Sequence, residues 1–216
     1  MTEAVILVHG LWMNGLDMTL LRRRIAAAGY AVHQFRYPTV RRSPAENAHE
    51  LAAFARELRQ PVLHFIGHSL GGLVLRHLFH AHPDQRPGRV VTLGTPHQSS
   101  SAARGFLRLP PGRTLLGRSL EAGLLGEAPG WNGGRDLGSI AGTLVLGPAW
   151  FIPGIPRPSD GTVAVSETLL DGMRDHVTVP ATHMGLLISR RAAGQCVHFL
   201  GQGRFMAGGM TSAFSE

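Results

Sequence analysis

Gly67-His68-Ser69-Leu70-Gly71-Gly72 decides the reading of this chain. Before it runs Val62-Leu63-His64-Phe65-Ile66, short, mostly apolar and rich in β-branched residues, the pattern of a buried strand. After it, Leu73, Val74, His77 and Leu78 fall at helical spacing. A G-x-S-x-G run between strand and helix places the serine on a tight, strained turn. A serine hydroxyl is a weak nucleophile at neutral pH and has to be presented to a base. The flanking glycines remove side chains that would collide with the adjoining strand and helix.

Outward from this turn the chain alternates. Ala4–Val8 reads as a first strand, Met18–Ala28 as a helix closed by Gly29, and Ala31–Phe35 as a second strand. Ser43-Pro44-Ala45-Glu46 has the form of an N-cap, a first-turn proline and a capping acid, opening a helix to about Arg59. The strand at Val62–Ile66 and the helix to about Ala81 follow. Further strands are expected at Arg89–Leu93, Leu144–Leu146 and Val177–Val179, with a closing helix over Met184–Leu200 interrupted at Gly194. This is an α/β chain: a mainly parallel sheet of about six strands with helices on both faces. Ligands in such sheets sit beyond the carboxyl ends of the strands. Residues 99–142, rich in Gly, Leu, Arg and Pro, break the rhythm. They read as a small cap or lid inserted in a single domain spanning 1–216, or as a helical connection packed on the sheet. The glycine-rich tail after Gly201 is expected to be loosely ordered.

The serine needs a base, and the base an orienting carboxylate. Of the twelve histidines, only His97 and His183 fall in strand-end loops without another assignment. The order serine, acid, histidine that accompanies such a turn selects His183. Asp160, in Ser159-Asp160-Gly161-Thr162-Val163, is the acid of choice; its alternative role is an Asp-Gly turn. Asp171 and Asp175 precede the last strand and so belong to the other edge of the sheet. Two backbone amides, those of Leu11 and Leu70, are placed to stabilise an oxyanion. Trp12 and His97 are the residues expected to meet a substrate. His9 reads as a structural hydrogen-bonding group.

Composition sets outer bounds. The chain has 216 residues, a net charge of +7 and no lysine, so every basic side chain is arginine. Apart from Arg22-Arg23-Arg24, Arg41-Arg42 and Arg190-Arg191 the arginines are scattered, and they lack interleaved aromatics, which argues against a nucleic-acid platform. They fit a compositional bias, with weak contact to an anionic membrane surface as a lesser reading. Cys196 is the only cysteine, so no internal disulfide forms, and it reads as buried and inert. No apolar stretch is long enough to span a membrane, and no signal peptide is recognisable, which points to a cytoplasmic protein. His77, His80 and His82 have ligand-like spacing but read as core and surface histidines, so no metal is expected.

His9-Gly10, Gly67-His68-Ser69-Leu70-Gly71-Gly72, Leu93-Gly94-Thr95-Pro96-His97, Ser159-Asp160-Gly161-Thr162-Val163 and His183, in this order, resemble the α/β-hydrolase family and within it the bacterial lipase and esterase group. The resemblance implies hydrolysis of a carboxylic ester through an acyl-enzyme, without a cofactor, on a fold shortened at its N-terminus. The same residues suit a thioesterase, acyltransferase or amidase, and the same fold a ligand-binding protein that does no chemistry. An apolar lid over residues 99–142 would favour acyl chains of medium length over acetate and would suit lipid-like esters.

Overall fold

The computed structural model describes residues 3–132, 134–146 and 154–207. Six strands form one sheet: β1 (Ala4–Val8), β2 (Ala31–Phe35), β3 (Leu63–His68), β4 (Val90–Leu93), β5 (Leu137–Gly142) and β6 (Asp175–Val179). Their order is β2-β1-β3-β4-β5-β6, and every pairing is parallel. The chain leaves β1 toward one edge, returns past it to β3, then continues toward the other edge. The order therefore reverses between β1 and β3, the place where such sheets open a crevice.

All five residues of β1 are buried, because both faces of the sheet are covered. Ala4, Ile6 and Val8 join one core with Leu63, Phe65, Leu73 and Leu78. Val5 and Leu7 join the other with Ile25, Ile66, Cys196 and Phe199. The first core lies under helices α2 (Pro44–Glu57) and α3 (Leu70–Ala81). The second lies under α1 (Thr19–Ala27), α6 (Gly185–Ile188) and α7 (Arg190–Gln202). Each fully buried Leu, Ile or Phe contributes about 1.5–3 kcal/mol of transfer free energy. The capping box at Ser43 and Glu46 forms as expected, with the Ser43 side chain accepting from the Glu46 amide and the Glu46 carboxylate accepting from the Ser43 amide.

Four expectations need correction. The fifth strand is Leu137–Gly142, not Leu144–Leu146; Gly138 and Gly142 hid it. A Cβ at Gly138 would lie 2.6 Å from Phe199 and Phe205, and one at Gly142 2.5 Å from the Ala181 carbonyl oxygen. Close packing thus demands small residues in a strand whose composition does not look like one. As a result residues 137–142 belong to the sheet, and the interruption beginning at 99 ends at 136. It holds two short helices, α4 (Ser101–Phe106) and α5 (Gly112–Leu116). The closing helix breaks at Ser189, not Gly194. Ser189 adopts an extended backbone and its hydroxyl caps α7 by accepting from the Ala192 amide. The first part of the tail is not loose: Phe205 is buried in the second core and its amide donates to Asp175. Residues 208–216 lie outside the described residues.

Candidate active site

The turn after β3 has the backbone its sequence demands. Ser69 sits at φ 54°, ψ −121°, a conformation that costs a non-glycine residue about 1–3 kcal/mol. Three contacts hold it there. The Ser69 amide donates to the Leu93 carbonyl, the Thr95 hydroxyl donates to the Ser69 carbonyl, and the Gly72 amide closes the first turn of α3 on the same oxygen. Gly71 is where the turn meets β1. A Cβ there would lie 2.2 Å from the Val8 carbonyl oxygen.

Ser69 faces a cavity of about 260 Å³. Leu11, Trp12, Phe106, Leu116 and Leu124 form much of its apolar wall, and His183 and Met184 line it opposite. His183 Nδ1 lies 2.7 Å from Asp160 Oδ2. The carboxylate is almost wholly enclosed and the imidazole keeps a small exposed edge. Asp160 makes the turn considered for it and also reaches the histidine. Its Oδ1 accepts from the Thr162 and Val163 amides, making a turn, while Oδ2 meets the histidine. The His183 amide also donates to the Asp160 carbonyl, so the two loops are joined twice.

Gly94 makes room for this pair. It sits at φ +55°, and a Cβ on it would lie 2.9 Å from Asp160 Oδ2 and 3.1 Å from His183 Nδ1. Among the described residues no hydrogen bond joins Ser69 Oγ to His183. Such contacts are commonly long in unliganded sites. The amides of Leu11 and Leu70 likewise donate to no protein acceptor among the described residues, and both residues flank the serine.

His68 and His9 support the site from behind. Buried His68 donates from Nε2 to the His183 carbonyl at 3.1 Å, and its ring lies 4.7 Å from that of His183. Burial, with His183 beside it, pushes its pKa well below the usual histidine range, so it is neutral. His9 stacks on Tyr37 at 4.4 Å, accepts the Tyr37 amide at Nε2, and its carbonyl accepts the Tyr37 hydroxyl at 2.6 Å. Burial lowers its pKa too. Both fit a structural role.

Trp12 lines the cavity as expected. It has a positive φ of 58°, its amide donates to Thr39 Oγ1, and its indole donates to the Leu115 carbonyl. His97 does not line it. It is only 2% exposed, its Nε2 pairs with Thr92 Oγ1, and its carbonyl accepts from Arg76. Burial and the Arg76 guanidinium push its pKa down to about 3. The loop after β4 turns this histidine back onto Thr92 of the same strand.

The sequence reading missed Arg76 and Glu167. Arg76 is buried and donates to the carbonyls of His97, Ala128 and Pro129, tying α3 to both ends of the interrupting segment. Glu167 accepts from the Ser101 and Ala164 amides and so joins the Asp160 loop to α4. Neither bond leaves a short-range signal. His77 and His82 do not converge on a metal site: His77 bonds the Ala122 carbonyl and His82 meets His49. A more open, polar depression near Arg56, His82 and Asp84 lies at the amino-terminal edge of the sheet, away from Ser69. Among the described residues no helix is long and apolar enough to cross a membrane.

A model of the alpha/beta hydrolase family matches residues 5–203. Comparison with curated proteins returns no match. Among solved structures the chain is similar to a Bacillus licheniformis lipase in its mature form, with a TM-score of 0.75 and 18% identity over 94% of this chain and 92% of that one. It is similar to a metagenomic carboxyl esterase, with a TM-score of 0.62 and 20% identity over 84% and 64%. It is also similar to carboxylesterase CesB from Bacillus subtilis, with a TM-score of 0.60 and 14% identity over 94% and 84%. At these identities the likeness is one of fold.

Proposed function

The chain belongs to the alpha/beta hydrolase family, and on that premise we propose that it is a carboxylic-ester hydrolase with Ser69 as nucleophile. The observation that carries the proposal is the strained Ser69 opening onto an apolar cavity shared with His183, whose ring is held at 2.7 Å by Asp160. In this reading His183 Nε2 takes the Ser69 proton as Oγ attacks the ester carbonyl. Asp160 accepts from Nδ1–H, fixing the tautomer and stabilising the imidazolium that forms. The Leu11 and Leu70 amides donate to the oxyanion. His183 then protonates the departing alcohol. Water, deprotonated by the same nitrogen, releases the acid from the acyl-enzyme.

The cavity suits the acyl half of the substrate, with α4 and α5 serving as a small cap over it. Its lining of Leu11, Trp12, Phe106, Leu116 and Leu124 favours an acyl chain of medium length over acetate. Trp12 forms a wall of the acyl site.

The test is hydrolysis of p-nitrophenyl esters from acetyl to palmitoyl by the wild type and by Ser69→Ala. The expected result is a rate maximum at medium chain length and a fall of about 10⁶-fold in kcat in the variant. An unchanged rate in Ser69→Ala would overturn the assignment. A folded wild type inert on every ester but labelled at Ser69 by a fluorophosphonate would shift it to another acyl substrate.

A further inference from the structure

We propose that the face around the cavity mouth docks on an anionic lipid bilayer. Six large apolar residues stand on this face with 38% to 63% of their surface in water: Trp12, Leu16, Leu20, Leu115, Met184 and Ile188. They are neighbours in space. Trp12 and Met184 line the cavity itself. Leu115 receives the Trp12 indole hydrogen bond, and α6, which carries Ile188, packs against α1 and the turn at Leu16–Met18. Isolated exposed apolar residues need no explanation, but a group ringing one opening marks a contact surface.

The charges around this group select the partner. The three bordering segments hold three arginines in 9–24, three in 107–118 and two in 183–191, against one acid, Asp17. Among the described residues only Arg118 of these is in an ion pair, with Glu46 and Glu121. Arg24 donates to the Ile188 carbonyl, which places a cation beside the apolar group. The fold brings the runs Arg22-Arg23-Arg24 and Arg190-Arg191 together, with Arg190 close enough to Arg24 to disfavour its charge. Apolar side chains at the centre and cations around them match the layering of a bilayer interface, acyl chains below anionic headgroups. An acidic protein partner would answer the cations but leave the apolar centre without a counterpart of defined shape.

The docking places the Ser69 cavity against the lipid, and only this delivery of a lipid ester rests on the catalytic reading above. Binding is therefore measured separately, on full-length Ser69→Ala protein, with sedimentation of vesicles of phosphatidylcholine alone or mixed equally with phosphatidylglycerol. The protein is expected to sediment with the mixed vesicles, to remain free with phosphatidylcholine alone, and to be released as salt shortens the screening length. Each arginine removed is expected to weaken binding about five-fold, so Arg23→Gln with Arg190→Gln about twenty-five-fold. Leu16→Ser with Ile188→Ser should weaken it at least ten-fold. The same pairs introduced into the wild-type chain should leave hydrolysis of a dissolved short-chain ester unchanged. The proposal is overturned if neither vesicle binds, if both bind equally, or if Leu16→Ser with Ile188→Ser instead dissociates a dimer in sedimentation equilibrium.

Discussion

The two halves of the site are built by different means. Ser69 is carried by the junction of β3 and α3, next to the end of β1, in the middle of the sheet. Contacts there are backbone against backbone: a Cβ at Gly67 would lie 2.7 Å from the Gly72 amide nitrogen, and one at Gly71 2.2 Å from the Val8 oxygen. Asp160 and His183 sit on loops nearer the sheet's edge, held by side-chain carboxylates reaching amides. The cavity wall at 99–136 is made of two short helices and turns. Ser69, the proposed nucleophile, is thus held by backbone packing that leaves no room for a Cβ at Gly67 or Gly71, while the cavity walls rest on side-chain bonds that tolerate change.

The sharpest way to break this comparison is Asp160→Asn. An amide oxygen can still accept from Thr162 and Val163, so the turn survives. The carboxylate that fixes the His183 tautomer is lost. A fall in kcat of about 10⁴, or roughly 5 kcal/mol, is expected with little change in Tm. Steady-state hydrolysis of p-nitrophenyl octanoate beside a thermal melt measures both. A loss below ten-fold would mean that the loop half takes no part in catalysis.

On the other side of the comparison stands Gly71→Ala. Its new methyl would meet the Val8 carbonyl, which belongs to the central strand and cannot withdraw. A loss of about 4 kcal/mol or more in unfolding free energy is expected, read as a collapse of the urea midpoint. If the variant folds with normal stability, the turn is softer than its packing implies.

The same contrast explains what the sequence made legible. β1, α2 and α3 follow from residues whose pattern and whose structural cause are close together: an unbroken apolar run along a fully buried strand, Ser43 three residues before Glu46, glycines around Ser69. Ser69 and His183 could be singled out because each closely follows a strand, whereas Asp160, well beyond the end of β5, was singled out by its place in the chain order and its Asp-Gly sequence. β5 was misplaced because Gly138 and Gly142 are there for the bulk of Phe199 and Ala181, residues far away in the chain. His97 was misassigned for a like reason. Its burial depends on Arg76 and Thr92 and on the path of the whole segment, none of which its neighbours announce.

His97 also gives a smaller effect. Its folded pKa, about 3, lies below the 6.5 of an unfolded histidine. Between these values the unfolded chain binds a proton that the folded one refuses, so stability is full above about pH 6.5 and falls as pH drops toward 3. The slope is about 1.4 kcal/mol per pH unit for this group. His97→Asn should flatten the pH dependence of the urea unfolding free energy by about that amount between roughly pH 4 and 5.5. An unaltered slope would show that His97 is protonated in the fold.

The least effect is expected at Gly105, and it answers Gly71 directly. Gly105 lies within α4, in the cavity wall, and a Cβ built there meets no atom within 4 Å. Alanine in a helix is favoured over glycine by about 0.5–1 kcal/mol, since it has less backbone freedom to lose. Gly105→Ala should therefore raise Tm by about 2–3 °C in a chain of this size. One methyl added at position 71 is expected to cost much of the folding free energy, and the same methyl at 105 to add to it. If Gly105→Ala were instead to cost more than about 1 kcal/mol, the wall would be packed as tightly as the turn, and the division between a fixed Ser69 and an adaptable wall would fail.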